Sequence, residues 1–248
     1  MVTDKDDIYD PDYVAGLFDR CSGNYRWWSA ISSLGFIWLW RRQCVGRLVV
    51  PAQANPVVID LMAGTGEIWP HVLRRFPGLA TIMALDISPR MHREAVGRLH
   101  GRYADRITHL AADALRADLP ENHADIVVST FGLKTFNADQ QAILARQIAR
   151  MLKPGGSFAL IEASDPKGWV LRPLFRLYLD RVLPLIERLF LHGAQDFSMI
   201  GTYSRNFQNC AQMEAALRAA GLQVTMKRHF FGCATSVAGE KPGKGAVA

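Results

Sequence analysis

One junction constrains this chain more than any other: the apolar run Val57-Val58-Ile59-Asp60-Leu61 passes straight into Met62-Ala63-Gly64-Thr65-Gly66-Glu67. A short run rich in β-branched residues reads as a buried strand. Two glycines one residue apart, directly after it, mark a sharp turn. A residue without Cβ tolerates positive φ and lets a ligand lie against the backbone. The helix expected next, Ile68–Arg75, offers free N–H groups at its first turn. The junction is therefore a βα unit with a ligand-cradling loop, and such units build parallel sheets.

The rest of the chain supplies the partners. Strands are expected at Ala80–Asp86, Ile107–Ala111, Ile126–Ser129 and Ser157–Ile161, alternating with helices at Pro89–Gly101 and Gln140–Leu152. Lys153-Pro154-Gly155-Gly156 reads as the stop of the second helix. Tyr13–Val50 is helical in pattern and rich in aromatics, and Pro51–Pro56 reads as a linker. After Ser164 the alternation breaks. Trp169–Leu191 is strongly apolar with Arg172, Arg176, Arg181 and Arg188 interspersed, and Phe207–Gly221 reads as a further helix. Leu222–Arg228 and Phe230–Ser236 are expected as a closing hairpin at the sheet edge. The division expected is an N-terminal helical lid (1–50), an α/β domain (51–239) with a helical insertion at about 167–206, and a flexible tail (240–248). The fold class is α/β, a Rossmann-like seven-stranded mostly parallel sheet with an antiparallel edge strand and helices on both faces.

The loop's spacing narrows its ligand. A dinucleotide-binding loop reads G-x-G-x-x-G, its helix holding a pyrophosphate. Here Trp69 stands where the third glycine would be. That favours an adenosyl amino acid, S-adenosylmethionine, over NAD. Asp86 ends the second strand, 20 positions after Gly66. A carboxylate there is an acceptor-only fork that matches the two ribose hydroxyls. Asp113, followed by Ala114, comes after the third strand, where an acidic residue reaches an adenine amino group. All three positions lie at strand C-termini, where open α/β sheets bind ligands.

Composition excludes more than it selects. The net charge is +6 with scattered arginines and no basic tract, so nucleic acid is not expected as a partner. Cys21, Cys44, Cys210 and Cys233 form no C-x-x-C pair, and no metal is expected. The acidic, polar start gives no expectation of a secretory signal, and no membrane span is expected, since no apolar run is long enough. A cytoplasmic placement is expected, with peripheral contact at the inner membrane surface and a homodimer left open.

The chain resembles the UbiE-type C-methyltransferases of ubiquinone and menaquinone biosynthesis, from about Val14 to Lys241. The resemblance rests on Leu17-Phe18-Asp19-Arg20-Cys21-Ser22-Gly23-Asn24-Tyr25, on Ile59–Gly66, and on Leu85-Asp86-Ile87-Ser88-Pro89-Arg90-Met91. It continues in Ser129-Thr130-Phe131-Gly132-Leu133-Lys134, Arg150–Gly156 and Leu160–Ser164. It implies a seven-stranded sheet, S-adenosylmethionine as donor, and methylation of a ring carbon on a polyprenylated quinol precursor. The cofactor site is accordingly expected through Asp60, Ala63, Gly64, Thr65, Gly66, Glu67, Asp86, Ile87, Met91, Asp113, Ala114, Ser129, Thr130 and Phe131. Glu67 is expected on the amino group of the methionine moiety.

The chain also departs from the family pattern. Tyr25-Arg26-Trp27-Trp28-Ser29 stands where the family has Tyr-Asp followed by Met-Asn. Lys134-Thr135 replaces Arg-Asn, and Ser164-Asp165-Pro166 replaces Ser-Lys-Pro. Several of these positions belong to the substrate side. Transfer of a methyl group asks chiefly for positioning, with a base or cation beside the acceptor oxygen. Lys134 is the candidate cation, Tyr25 a candidate orienter or base, and Glu162 a base or orienter at the end of a strand. Trp27, Trp28, Trp38 and Trp40 are candidates for an apolar lid. The expected acceptor is an apolar aromatic or prenylated small molecule. The alternatives are a lipid amine, a natural-product nitrogen or oxygen acceptor, and a cofactor-binding partner without transfer activity.

Overall fold

A computed structural model describes residues 7–51, 55–190 and 194–243. Three helices open the chain: α1 (Pro11–Cys21), α2 (Tyr25–Ser32) and α3 (Ile37–Val45). Asp10 caps α1, its carboxylate accepting from the Asp12 and Tyr13 N–H groups, with Pro11 in the first turn. The α/β part then runs β1 (Val57–Leu61), α4 (Trp69–Arg75), β2 (Thr81–Asp86), α5 (Pro89–Tyr103), β3 (Ile107–Ala111), β4 (Ala124–Thr130), α6 (Ala138–Met151) and β5 (Leu152–Ala163). Four more helices follow, α7 (Arg172–Leu177), α8 (Leu183–Phe190), α9 (Ala194–Phe207) and α10 (Ala211–Ala219), then β6 (Gln223–His229) and β7 (Ala234–Glu240).

The seven strands order β3-β2-β1-β4-β5-β7-β6. β1 to β5 are parallel, and β7 is antiparallel to both its neighbours. The antiparallel strand therefore lies one place in from the edge, not at it, because the chain passes β5 to form β6 and folds back through a tight hairpin. Side chains alternate between two cores. Val58, Ile82, Ile126, Val128, Ala159 and Ile161 face α3 and α4. Ile59, Leu61, Leu85, Val127, Phe158 and Leu160 face α6 and α10. A third cluster joins α1, α2, α5, α8 and α9 through Leu17, Tyr25, Trp28, Met91, Leu183 and Tyr203.

Several expected boundaries move for physical reasons. Residues 1–50 are not uniformly a lid. Ile37, Trp40, Cys44 and Val45 of α3 pack into the sheet core, while Trp27 and Trp38 stay exposed. Lys153-Pro154-Gly155-Gly156 follows directly on the end of α6, as expected, but lies as a bulge inside β5: Leu152 pairs with Ala124 and Ser157 with Ile126. Trp169–Leu191 is divided into α7, a π-turn over Tyr178–Val182, and α8. Phe207 ends α9 instead of opening the next helix. The last strand starts at Ala234, not Phe230, because Phe230 and Phe231 adopt φ of +41° and +56° and break the extended chain. Glu240 and Lys241, expected in the tail, are part of the packed domain: Glu240 pairs within β7, and Lys241 Nζ donates to the Ala149 and Leu152 carbonyls. Residues 1–6, 52–54, 191–193 and 244–248 lie outside the described residues. All four cysteines are buried. Among the described residues, no helix is long and apolar enough to cross a membrane.

Candidate active site

β1 and β4 are sheet neighbours whose following segments leave to opposite sides, so a cleft opens over their C-terminal ends. Ala63, Gly64, Thr65, Glu67, Asp86, Ile87, Met91, Asp113, Ala114, Thr130 and Phe131 line it, along with Tyr25, Arg41 and Met62. Asp60, Gly66 and Ser129 are not in its wall. Gly64 has φ of +56° and open space where a Cβ would stand, so its backbone is presented bare. Gly66 is glycine for another reason: at φ of +75° its Cβ would stand 2.5 Å from the Trp69 ring. Trp69 Nε1 donates to Asp60 Oδ2 at 2.8 Å. The residue in the third-glycine position thus buttresses the loop, and Asp60 anchors the buttress from below. Burial pushes the Asp60 carboxyl up to about 8, although the indole hydrogen bond pulls the other way.

Asp86 ties two loops together. Its Oδ2 accepts from the Gly64 N–H at 2.7 Å and its Oδ1 from the Ser88 N–H at 2.8 Å. Burial raises its pKa, and these two N–H groups oppose the rise. Asp113 Oδ1 accepts from the Leu115 N–H at 2.9 Å, while its buried Oδ2 has no hydrogen-bond partner. Met62 and Phe131 both line the cleft, and both have positive φ (+52° and +65°). Non-glycine residues are held there only where the surroundings impose it, and such sites cluster around ligands. The constraint is visible: a Cβ on Gly132 would meet Met62 Cβ at 2.6 Å, so the two loops interlock.

The other end of the cleft is basic. Glu67 Oε1 accepts from Thr65 Oγ1 at 2.7 Å and pairs with Arg26 and Arg98, each at 3.1 Å. Arg41 approaches its Oε2 at 3.5 Å and lies 5.4 Å over the Phe131 ring. The sequence reading assigned none of these arginines. Arg41 carried a signal, since it falls at core spacing on α3, four residues after Ile37 and four before Val45.

A second cavity of about 330 Å³ adjoins the first, with Tyr25 and Phe131 in the walls of both. Trp28, Ile37, Trp40, Phe175, Leu179 and Leu183 give it an apolar lining, so two of the four candidate lid tryptophans belong to it. Lys134 also lines it, with 4% of its surface exposed. Its Nζ donates to Glu162 Oε1 at 3.0 Å and to the Phe131 carbonyl at 2.6 Å. Glu162 is fully buried and in neither wall. Its oxygens also accept from the Ala163 and Lys134 N–H groups at 2.8 and 3.2 Å. Burial drives the Tyr25 phenol well above its ordinary pKa, with Arg41 opposing, so the hydroxyl keeps its proton at neutral pH. Arg172, Arg176, Arg205 and Lys167 line the same cavity, joined by Asp165 and Asp180. Asp165 is held by Arg172 at 2.6 Å, which keeps its carboxyl below the ordinary range.

A bare glycine turn, two carboxylates at one end and guanidinium groups at the other suit an adenosine joined to an amino acid. The residues present fit that group, and the fold is that of the Rossmann-like methyltransferases. A model of the ubiE/COQ5 methyltransferase family matches residues 5–241, and the chain belongs to that family. It is an S-adenosylmethionine-dependent methyltransferase. The demethylmenaquinone methyltransferase of Lactiplantibacillus plantarum is 31% identical over 93% of this chain and 97% of its own length. The ubiquinone/menaquinone biosynthesis C-methyltransferase UbiE of Shewanella oneidensis is 27% identical over 86% of this chain and 83% of its own. Among solved structures, phosphoethanolamine N-methyltransferase 2 of Haemonchus contortus, bound to phosphomonomethylethanolamine and S-adenosylhomocysteine, superposes with a TM-score of 0.61 at 17% identity. That match covers 83% of this chain and 53% of the other, so this chain spans about half of it. The [4+2]-cyclase SpnF matches with a TM-score of 0.59 at 16% identity over 83% of this chain and 81% of its own. At such identities the likeness concerns fold alone, and the cyclase illustrates that a fold does not dictate a reaction.

Proposed function

We propose that the enzyme methylates a ring carbon of an apolar, quinol-type acceptor held in the second cavity. The observation that carries this reading is the junction at Tyr25 and Phe131, where an apolar chamber with a buried ammonium meets the cofactor cleft. The relatives named for demethylmenaquinone and for ubiquinone/menaquinone C-methylation support the acceptor class. S-adenosylmethionine, bound along the cleft, supplies an electrophilic methyl group. Asp86 and Asp113 hold its adenosine, with the bare Gly64 backbone beneath.

The chain's own part is to bind and orient the ring. Lys134 Nζ has three donors. Two are used on Phe131 O and Glu162, and the third serves an acceptor oxygen. A cation there stabilises negative charge developing on a quinol oxygen, which raises the nucleophilicity of the ring carbon. Glu162 fixes the ammonium's position and touches nothing in the cavity. Tyr25 donates toward the acceptor and closes the junction. The guanidinium groups around the chamber repel a cationic acceptor, which disfavours a lipid amine. One chain carries both cavities, so the reading does not require a homodimer.

The acceptor's long apolar tail gives the enzyme reason to work at an anionic bilayer surface. Phe231 (66% exposed) stacks on Trp169 at 5.3 Å, and Phe230 lies 4.2 Å from Phe36. Val170, Leu171 and Leu174 add exposed aliphatic surface, and Lys167, Lys227 and Arg228 are exposed nearby in the chain. Phe175 joins this platform, through Trp169, to the second cavity. Apolar side chains beside basic ones suit an interfacial contact. Co-sedimentation with phosphatidylglycerol vesicles is expected for the wild type and lost in the Phe230→Ser/Phe231→Ser variant.

Turnover tests the main reading. The enzyme is given S-adenosylmethionine carrying a ¹³C methyl group and a reduced, prenylated, ring-demethylated quinone, and the product is read by NMR. A methyl on ring carbon is expected. A methyl on oxygen, or none with folded, cofactor-binding protein, contradicts it.

A further inference from the structure

The basic end of the cofactor cleft has more positive charge than its own residues neutralise. Three guanidinium groups, Arg26, Arg41 and Arg98, converge on one carboxylate, Glu67. Glu67 Oε1 already receives Thr65, Arg26 and Arg98. Arg41 is left with a single long contact of 3.5 Å to Oε2. Only 3% of Arg41 is exposed, and its Nε has no hydrogen-bond partner. A guanidinium has five N–H donors, and buried donors left unmet cost about 1–3 kcal/mol each. Arg98 Nε is likewise buried and unmet, while its Nη2 donates to the Thr65 carbonyl. Arg41 lines the same cleft as Asp86 and Asp113, with Glu67 and Thr65 beside it. The cleft is thus acidic where an adenosine's hydroxyls and amino group would lie, and basic at the far end.

From this polarity we infer that Arg41 binds the α-carboxylate of the cofactor's methionine moiety, and that Glu67 acts as the bracket that orients Arg41. This differs from the sequence expectation, which gave Glu67 the amino group. Three arginines and a threonine already claim that carboxylate, so its free acceptor capacity is small. The planar fork of Arg41, backed by the Phe131 ring, matches a carboxylate in geometry and charge. Arg41 is a positioning residue: anchoring the amino-acid end sets how far along the cleft the sulfur lies, and hence its distance from the junction with the acceptor cavity.

The inference rests on adenosyl-cofactor binding, and the test separates the two. Calorimetry compares S-adenosylhomocysteine with its decarboxylated analogue, which lacks only the carboxylate, on wild type, Arg41→Gln and Arg41→Lys. Wild type is expected to bind S-adenosylhomocysteine about 10- to 100-fold more tightly than the analogue, the range of a charge-assisted hydrogen bond. Arg41→Gln is expected to erase that preference while binding the analogue as wild type does, which also reports that the variant is folded. Arg41→Lys is expected to recover part of it. A preference that survives in Arg41→Gln, or a wild type that binds both ligands equally, overturns the assignment. Binding of neither ligand by wild type would instead overturn the cofactor reading itself. If Arg41→Gln does not fold, the wild-type comparison and Arg41→Lys still decide.

Discussion

The two cavities that meet at Tyr25 and Phe131 are built on opposite principles. The cofactor cleft is floored by strand ends and the backbone of the loops that leave them, with helical side chains such as Arg41 and Met91 closing its walls. Its polar groups are locked by local contacts, such as Asp86 on the Gly64 and Ser88 N–H groups. The acceptor cavity is made of side chains from α2, α3, α7, α9 and the π-turn, brought together from distant parts of the chain. A buried ion pair between residues 28 apart in the chain, Lys134 and Glu162, anchors it near the junction. A site made from backbone geometry holds one ligand class through large changes in sequence. A site made from inserted helices changes its ligand by changing side chains, and this chain's departures at Trp28, Lys134 and Asp165 fall there, while Thr135 lines the cofactor cleft.

The contrast is broken most forcefully at the ion pair. Lys134→Ala leaves Glu162 charged and fully buried with no cation, a loss of about 3–5 kcal/mol, expected as a large fall in thermal midpoint. Adding Glu162→Gln is expected to recover most of it, because the penalty lies in the orphaned charge. A Lys134→Ala protein as stable as wild type would mean that the pair does not hold the junction. The next effect is on the other side. Asp86→Ala removes the fork expected on two hydroxyls and frees two loop N–H groups. A loss of about 100-fold in S-adenosylhomocysteine affinity is expected by calorimetry, since each charged hydrogen bond contributes about 1.5–3 kcal/mol.

The two loop glycines sharpen the comparison within the cleft. Gly66→Ala drives a Cβ into the Trp69 ring, and about 2 kcal/mol of stability is expected to go, whether or not cofactor is present. Gly64→Ala meets no atom of the protein, so its stability cost is only about 1 kcal/mol for the positive φ. Its larger expected effect is on S-adenosylhomocysteine binding. The two variants should therefore separate in a plot of thermal midpoint against affinity.

The smallest effect is a pH slope. The Asp60 carboxyl is raised to about 8 in the fold, far above its unfolded value. The native state then holds a proton that the unfolded state has lost. The stability from this group is fully present below the unfolded pKa and drains away as pH rises toward 8. Thermal midpoints of wild type are expected to fall across that window more steeply than those of Asp60→Asn, which keeps an acceptor for Trp69. Equal slopes would contradict the raised value.

The fold was legible because strand runs and glycine turns are local signals, read without knowing what packs where. Asp86, Asp113 and the Gly64 turn were legible for the same reason. Asp60 and Gly66, which the motif marks as ligand-facing, stand outside the cleft wall and contact Trp69 beneath the loop. The basic end was missed because Arg26, Arg41 and Arg98 come from α2, α3 and α5 and meet only through Glu67. The role of Tyr25 was ambiguous on paper because orienter and base differ only in the proton, and burial favours the protonated hydroxyl. The hairpin register slipped because nothing local in Phe230-Phe231 announces two successive positive φ values.

The most direct test of a two-cavity enzyme is a crystal structure with S-adenosylhomocysteine and a prenylated, ring-demethylated quinone bound together. The expected result places the adenosine between Asp86 and Asp113, the sulfur at the Tyr25–Phe131 junction, and the ring in the second cavity with an oxygen on Lys134 Nζ. A ring bound elsewhere, or a second cavity that stays empty at saturating quinone while the cofactor cleft fills, would contradict it.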